Sequence, residues 1–270
     1  MTAWTRSTCK RTLMKGCGDT SMNVFITGIS SGIGAALAEV LVVRGHAVWG
    51  IARREAPMQQ LAARLKSPLL RFSVADMRNE HEIRRVAVTM RDDGFAPDAV
   101  VLNAGCYEPD VKEGVYLPDA AAQVWQTNLT GSLSVLAVLL PGMCARGAGQ
   151  WVAVSSLAAF RPDPCSSAYP ASKAALAMTF RSLRLQFEDS GLLFKTVYLG
   201  PVATDVIPRY RGAKHPPHVV SAEQAAQAIA RALASSRAEF YFPRLLSSVY
   251  RAMLWIPDRF FDRLVRGMRR

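Results

Sequence analysis

The stretch Met22-Asn23-Val24-Phe25-Ile26-Thr27-Gly28-Ile29-Ser30-Ser31-Gly32-Ile33-Gly34 decides the fold, because an apolar run meets a glycine-rich turn and then an apolar helix. The run 22–27 has the length and composition of a strand that is buried on both faces, as in a parallel sheet covered by helices. The residues after Gly34 are rich in Ala, Leu and Val, as expected of a buried helix. Strand, tight turn and helix in this order are the first half of a βαβ unit.

The same alternation continues along the chain. Further apolar runs rich in Val, Ile and Phe occur at 46–51, 69–74, 98–102, 150–155, 192–198 and 238–242. Stretches of helical period lie between most of them, at 32–45, 57–66, 79–93, 119–146, 168–189 and 221–236. We therefore predict an α/β fold: a Rossmann-type, doubly wound parallel sheet of about seven strands with helices on both faces.

The two ends of the chain differ from the central domain, which we predict at residues 22–242. Residues 1–21 are polar, basic and without periodicity, and we expect a disordered leader there, with a transit peptide as the alternative. Residues 243–270 carry seven arginines against two aspartates, and we expect an amphipathic helical segment. The ends contribute +3 and +5 of the net charge of +12. A basic stripe on the folded body is therefore missing, which argues against a nucleic-acid partner.

The cysteine pattern and the hydropathy of the chain indicate in which cell compartment the protein resides. The five cysteines are scattered, with no C-x-x-C pair and no Cys/His cluster of metal-ligand spacing. We expect free thiols, no metal site and a cytoplasmic protein. The sequence shows neither a secretory signal nor an uncharged run of 18 apolar residues, so no membrane span is expected.

The glycine-rich turn predicts a phosphate-binding loop. Its spacing, T-G-x-x-x-G-x-G, differs from the commoner G-x-G-x-x-G, and a purely structural turn is the alternative. Glycine lets the backbone approach a ligand, and the amino terminus of the next helix offers N–H groups and a positive dipole end to a pyrophosphate. We predict that a dinucleotide contacts Gly28, Ser30, Ser31, Gly32, Ile33 and Gly34.

The end of the second apolar run indicates which dinucleotide binds. An NAD site usually has an acidic residue there for the ribose 2′-hydroxyl. This chain instead has Arg53 and Arg54, with Glu55 only after them. A guanidinium suits a 2′-phosphate because it is always charged and can donate two hydrogen bonds at once. We therefore predict NADP(H) as cofactor, with NAD(H) and a merely solvated arginine turn as the alternatives.

A tyrosine and a lysine at helical spacing indicate proton-transfer chemistry. Ser156 ends the fifth apolar run, and Tyr169 and Lys173 follow in Tyr169-Pro170-Ala171-Ser172-Lys173. Residues i and i+4 share a helix face, so Tyr169 and Lys173 can project into one site. A nearby ammonium is expected to depress the phenol pKa, which is otherwise near 10. We predict Tyr169 as the acid/base, with simple packing as the alternative for any one of the three residues.

On these motifs the chain resembles the short-chain dehydrogenase/reductase family over about residues 22–242. The resemblance implies that Ser156, Tyr169 and Lys173 are catalytic, that Tyr169 and Lys173 also contact the cofactor, and that Asn128 holds a water in a proton relay. It further implies cofactor contacts from Asp76, Asn103, Ala104, Gly105, Gly200, Val202 and Thr204. The family's Pro-Gly order near the nicotinamide is reversed here to Gly200-Pro201, which puts the geometry of that loop in question.

The expected activity is that of an NADPH-dependent carbonyl reductase acting on a small aldehyde or ketone, or on the corresponding alcohol. A nucleotide-binding redox sensor or scaffold with little turnover is the alternative. Residues 206–220 are expected to cover the substrate. The apolar stripe after residue 243 either packs on the domain or a partner subunit, or lies on a membrane surface. Family members with similar tails act on apolar carbonyls, so the resemblance implies a lipophilic substrate as one option, and it implies a homo-oligomer formed through the helices near 119–146 and 168–189.

Overall fold

The structure is a computed structural model and describes residues 21–163, 166–204 and 219–268. Residues 1–20, almost all of the predicted leader, lie outside the described residues. The same holds for residues 205–218, which form most of the predicted substrate loop.

Seven parallel strands form the central sheet, as predicted. The strands are β1 (Asn23–Thr27), β2 (Ala47–Ala52), β3 (Leu70–Val74), β4 (Ala99–Leu102), β7 (Gly149–Ser156), β8 (Leu192–Leu199) and β9 (Glu239–Phe242). Their order in the sheet is β3-β2-β1-β4-β7-β8-β9, so the chain winds outward in two directions from β1 and β4. A short antiparallel hairpin that the sequence patterns did not predict, β5 (Val111–Lys112) and β6 (Val115–Tyr116), lies apart from this sheet.

Helices connect the strands at nearly the predicted positions. They are α1 (Gly32–Val43), α2 (Glu55–Leu65), α3 (Glu80–Asp92), α4 (Pro118–Trp125), α5 (Gly131–Arg146), α6 (Ala168–Gln186), α7 (Ala222–Leu233), α8 (Arg244–Met253) and α9 (Asp258–Met268). The single helix predicted over 119–146 is instead divided by a π-helical turn, Gln126–Thr130. Such turns insert an extra residue into a helix and occur mostly at functional sites.

Both faces of the sheet are buried, which explains why the strand runs are apolar throughout. In β1, Val24 and Ile26 belong to a core shared with α1, α2 and α7, whereas Phe25 belongs to a core shared with α3, α5 and α6. All three side chains are fully buried. Each such burial stabilises the fold by roughly 1.5–3 kcal/mol relative to exposure. Alternating side chains of one strand therefore hold both helical layers.

The stretch Pro118–Arg146 is the one part of the described chain that is long and apolar enough to cross a membrane. Core helices of globular domains meet the same criterion. Here Val135, Leu139 and Met143 are buried in the core beneath the sheet, beside α3 and α6. We therefore interpret the stretch as a core element of the domain.

The carboxyl-terminal helices pack partly on the domain. Leu246 and Tyr250 of α8 contact a core cluster that includes Leu157 and Tyr198. Beside α9, the Arg161 guanidinium donates to the Ile256 carbonyl at 3.0 Å and to Asp258 at 3.1 Å, and it lies 4.6 Å from the centre of the buried Phe261 ring. Other apolar side chains of the segment remain exposed, namely Leu245, Val249, Leu254, Trp255 and Phe260.

Candidate active site

Two adjoining cavities open at the carboxyl edge of the central strands, where ligands bind in open α/β sheets. The first has a volume of about 460 Å³ and follows the ends of β1, β2, β3 and β4. The second, of about 190 Å³, lies between the ends of β7 and β8 and the start of α6. Six residues line both cavities, which therefore form one continuous groove: Ile33, Asn103, Gly105, Cys106, Tyr107 and Thr204.

Most of the predicted cofactor residues line the first cavity. They are Gly28, Ser30, Ser31, Gly32, Ile33, Arg53, Arg54, Asp76, Asn103, Ala104, Gly105 and Thr204. Gly200, Val202, Tyr169 and Lys173 line the second cavity. Gly34 lines neither cavity but is part of the turn, because a Cβ at this position would overlap the carbonyl oxygen of Gly28.

The glycine-rich turn has the shape that a pyrophosphate cradle requires. Gly28 has φ +79°, a left-handed conformation that favours glycine, and a Cβ there would lie 2.9 Å from the Ala104 Cα. Ser31, which precedes α1, makes no side-chain cap, and the first turn of α1 holds no acidic residue. The N–H groups and positive dipole end of α1 thus face the first cavity without a competing carboxylate, and a dinucleotide fits this site.

Arg54, just after the second strand, contacts the glycine-rich turn. Its guanidinium donates hydrogen bonds to the hydroxyls of Ser31 at 3.0 Å and Ser30 at 3.3 Å. Arg53 lines the same end of the cavity. Two arginines and two hydroxyls are therefore gathered where the sequence predicted a 2′-phosphate.

Asp76 has a partner that the sequence patterns did not indicate. Arg78 donates to both of its carboxylate oxygens, at 3.0 and 2.5 Å, and also lines the first cavity. The hydrogen bond from the Arg78 side chain holds the pKa of Asp76 below its usual value, against the opposing effect of burial. The contact of Asp76 with the cofactor stays a prediction, and any ligand there would meet an ion pair rather than a lone carboxylate.

Three of the four residues with predicted catalytic roles line the second cavity together. Ser156 is the last residue of β7, Tyr169 is the second residue of α6, and Lys173 follows one turn later on the same face. The Lys173 ammonium is buried and donates to the Val154 carbonyl at 2.9 Å. The Ser156 hydroxyl lies in the same cavity lining as Tyr169 and accepts from the Ala158 N–H at 3.1 Å. The structure thus brings the phenol, the hydroxyl and the ammonium together at one cavity, and their catalytic roles stay a prediction.

The expected depression of the Tyr169 pKa is wrong for this structure. Burial raises the pKa of Tyr169 and outweighs the hydrogen bond from Ser156, which lowers it. Burial also lowers the pKa of Lys173, to about 8. Desolvation penalises both charged forms, phenolate and ammonium, and sequence spacing carries no information about desolvation.

Asn128 lies in the π-helical turn, fully buried, and lines neither cavity. Its side-chain oxygen accepts from the Cys106 N–H at 2.8 Å, and its amide donates to the Cys106 carbonyl at 3.0 Å and the Ser172 hydroxyl at 3.1 Å. Asn128 therefore ties the groove segment at Cys106 to helix α6. Its part in a water relay stays a prediction.

The reversed Gly200-Pro201 loop keeps its place beside the second cavity. The Gly200 N–H donates to the Phe242 carbonyl at 2.8 Å. A Cβ on Gly200 would lie 3.0 Å from Pro243 and 3.2 Å from Leu246. Glycine at this position therefore lets the start of α8 pack closely against the loop.

Sequence reasoning missed several residues that line the groove. Cys106 and Tyr107 directly follow the Asn103-Ala104-Gly105 motif, so their position was the available signal. Tyr250, which lines the second cavity, is far along the chain and has no local signal. Only the packing of α8 on the domain brings it to the site.

Comparisons with known proteins agree with this geometry. The profile of the short chain dehydrogenase family matches residues 22–214. An uncharacterized oxidoreductase of Myxococcus xanthus is 29% identical over 248 residues, which cover 90% of this chain and 96% of that protein. An NADPH-dependent pterin aldehyde reductase of Arabidopsis thaliana is 34% identical over 134 residues, or 49% of this chain and 55% of that one. The structure of a short-chain dehydrogenase from Sphingobium yanoikuyae in complex with NADPH superposes with a TM-score of 0.76 at 24% identity, covering 92% of this chain and 94% of that one.

Proposed function

The chain belongs to the short chain dehydrogenase family and is an oxidoreductase, and on that premise we propose that it interconverts an aldehyde or ketone and an alcohol with NADP(H). The proposal depends on one observation: Ser156, Tyr169 and Lys173 line the same cavity, and this cavity is open to the groove at the glycine-rich turn. A protein that only bound a nucleotide would not need a proton donor at this position.

The chemistry divides between cofactor and protein. The glycine-rich turn and the Arg53–Arg54 end of the groove would hold a reduced dinucleotide, which would supply the hydride that the carbonyl carbon needs. The Ser156 hydroxyl holds the carbonyl oxygen, and Tyr169 donates its phenolic proton to that oxygen as the alcohol forms. The Lys173 ammonium stabilises the phenolate left behind, and its bond to the Val154 carbonyl fixes its direction.

The preference for NADP(H) over NAD(H) rests on the arginine end of the groove. Arg54 and the hydroxyls of Ser30 and Ser31 form a donor cluster that suits a dianionic 2′-phosphate. The plant relative is named an NADPH-dependent aldehyde reductase, and the bacterial structural relative is described in complex with NADPH. Both names support the same cofactor for this chain.

The second cavity favours an uncharged, apolar carbonyl as substrate. Leu157, Leu199, Val202 and Tyr250 contribute to its wall. Among the described residues, Lys173 is the one charged side chain in the lining, and it belongs to the reacting centre. A substrate carboxylate or ammonium would therefore lose its hydration without gaining a dedicated partner on these walls.

Substitution of the phenol tests the proposed reaction. We expect wild-type protein to oxidise NADPH with members of a carbonyl panel, and Tyr169→Phe to lower kcat by about 10²- to 10⁴-fold, the usual contribution of a positioned acid. Cofactor affinity, measured by fluorescence titration, should remain within about twofold because the lost hydroxyl is not a phosphate ligand. Undiminished turnover would remove Tyr169 from the mechanism. Absence of turnover in wild-type protein, with intact NADPH binding, would favour the sensor or scaffold alternative.

We also propose that the protein is a cytoplasmic homo-oligomer. Met178 and Leu185 are 58% and 70% exposed, and they lie on α6, one of the helices through which the family resemblance implies assembly. A second copy covering α6 would remove this apolar area from water. Analytical ultracentrifugation of wild-type protein and Leu185→Glu tests the assembly, and an unchanged monomeric mass for wild type would contradict it.

The carboxyl-terminal segment supports a further proposal, peripheral contact with an anionic membrane. Leu245 and Trp255 are 81% and 89% exposed, within a segment that carries a net charge of +5. Apolar side chains together with arginines suit a lipid interface. Trp255→Ser should reduce sedimentation with anionic vesicles, whereas Val43→Ser, at a 78% exposed position at the end of α1, should not. Equal sedimentation of all three proteins would contradict membrane contact.

A further inference from the structure

Asp110 is a fully buried carboxylate that the chemistry above does not use. It lies just before the β5–β6 hairpin, and its side chain faces the start of α6, 57 residues further along the chain. Both oxygens accept from the Ser167 N–H at 2.9 Å. One of them also accepts from the Ser167 hydroxyl at 2.8 Å and from the Ala168 N–H at 2.7 Å. A single carboxylate thus receives every donor that Ser167 offers.

These bonds cap the helix that carries Tyr169 and Lys173. The first N–H groups of a helix have no partner within it, and a residue at the helix start usually supplies one. The Ser167 side chain makes no such cap. The Ser166 hydroxyl accepts from the Tyr169 N–H at 3.2 Å, which leaves the Ser167 and Ala168 N–H groups to Asp110. Asp110 takes this part from outside the helix, and its negative charge lies at the positive end of the α6 dipole.

The carboxylate is ionised in this position. Burial alone would raise the pKa of Asp110, but the hydrogen bonds from Ser167 and Ala168 outweigh burial and leave the pKa below its usual value. Removing one partner of a buried, hydrogen-bonded charge is costly, so the contact strongly favours one position of the helix start.

The same chain segment also borders the cofactor groove. Within eight residues it supplies the groove wall at Asn103–Cys106, the Tyr107 ring and Asp110. The Tyr107 ring meets the Tyr169 ring edge-on, with 5.2 Å between the centroids. The hairpin end is fixed as well, because the Leu117 N–H donates to the Asp110 carbonyl at 2.7 Å. One chain segment therefore contacts the groove, the predicted catalytic phenol and the helix that carries it.

We propose that Asp110 is a positioning residue for the reaction: by holding the first turn of α6 it sets where the Tyr169 hydroxyl lies relative to Ser156 and the groove. The proposal rests on the function proposed above. Misplacement of a reacting group by about 1 Å can cost about 10²-fold in rate, so the contact matters for turnover beyond its effect on stability.

Asp110→Asn is the sharpest test, because it keeps the side-chain size while one accepting oxygen is replaced by an amide nitrogen, which donates and does not accept. Asp98→Asn is the matched control: this carboxylate also accepts a backbone N–H, from Asn23 at 2.8 Å, but at the opposite end of the sheet. We expect Asp110→Asn to lower kcat by about 10- to 100-fold, with the Kd for NADPH within about twofold. The solvent isotope effect on kcat should increase, since proton donation becomes slower. Asp98→Asn should leave kcat and the isotope effect unchanged.

Amide hydrogen exchange does not depend on turnover, so it distinguishes failure of this proposal from failure of the proposed function. The amides of Ser167 and Ala168 should exchange hydrogen faster in Asp110→Asn than in wild type, and at the wild-type rate in Asp98→Asn. If wild-type protein shows no carbonyl turnover, these exchange rates alone decide whether Asp110 holds the helix start. If Asp110→Asn does not fold, Ser167→Ala, which removes one of the four bonds, should still lower kcat by about two- to fivefold. An unchanged kcat in a folded variant, or a loss of NADPH affinity equal to the loss of kcat, would overturn the proposal.

Discussion

The buried ammonium of Lys173 gives a stability prediction that can be worked through quantitatively. Lys173 is 5% exposed, and burial lowers its pKa from 10.5 to about 8. Between these values the unfolded chain binds more protons than the folded one, so this group makes the protein more stable as the pH rises. A shift of that size means that burying Lys173 costs the fold about 3 kcal/mol at pH 7, where the folded state keeps the charge, and about 1 kcal/mol at pH 9.5, where it has lost the proton.

Lys173→Met isolates this effect, because methionine has a similar length and no charge. We expect the free energy of unfolding of wild type, relative to Lys173→Met, to increase by about 2 kcal/mol between pH 7 and pH 9.5. Urea unfolding of both proteins without added cofactor, at the two pH values, measures the quantity. Comparison of two proteins at each pH cancels the groups that they share. Lys112→Met, at an exposed site on the hairpin, is the control and should show no such change.

A change below about 0.5 kcal/mol, the usual error of additivity, would refute the burial of the charge. So would a change of opposite sign. Lys173→Met should also lose most turnover, since no ammonium then stabilises the phenolate. The variant is thus expected to be more stable than wild type at neutral pH and less active. That combination identifies a charge retained for function at a cost in stability.

Three further substitutions test other parts of the structure. Arg54→Ala removes a donor to the predicted 2′-phosphate, so it should weaken NADPH binding by about 10- to 100-fold with little effect on NADH binding. The control Arg64→Ala, on α2, should change neither affinity. Fluorescence titration measures both affinities. Gly34→Ala adds a Cβ that overlaps the glycine-rich turn and should abolish NADPH binding in the same assay, whereas Gly142→Ala, which has room, should bind normally. Ser221→Ala removes one half of the capping box of α7 and should lower the free energy of unfolding by about 1 kcal/mol in urea, with retained kcat.

The inner strands were predictable because they are largely buried on both faces, and the partly buried edge strands β3 and β9 still form apolar runs. Every one of the seven sheet strands begins and ends within two residues of its apolar run. The β5–β6 hairpin was missed because its strands have two residues each, too few to show a period. The division of the helix predicted over 119–146 was also missed, since the π-helical turn keeps a nearly helical pattern of apolar residues.

The site was predictable where it depends on local spacing and not where it depends on tertiary contacts. Tyr169 and Lys173 share a helix face, and Ser31 precedes a helix, so the sequence places them. Asp110 and Tyr250 reach the site from distant parts of the chain. Their roles follow from how the hairpin and α8 pack, which a local pattern does not encode.

The raised pKa of Tyr169 bears on the direction of the reaction. A depressed pKa would suit a base that removes the proton of an alcohol, whereas burial keeps this phenol protonated at neutral pH. The phenol, in the same cavity as the Lys173 ammonium, therefore holds the proton that carbonyl reduction requires and is a poor base for alcohol oxidation at neutral pH. We expect the rate of reduction to be constant below the Lys173 pKa of about 8 and to fall above it, as the group that stabilises the phenolate loses its charge. The rate of alcohol oxidation should instead rise across this range, because it requires removal of the phenolic proton. Initial rates in both directions from pH 6 to 10 measure the two profiles, and a reduction rate that increases above pH 8 would show that Tyr169 does not act as a proton donor supported by Lys173.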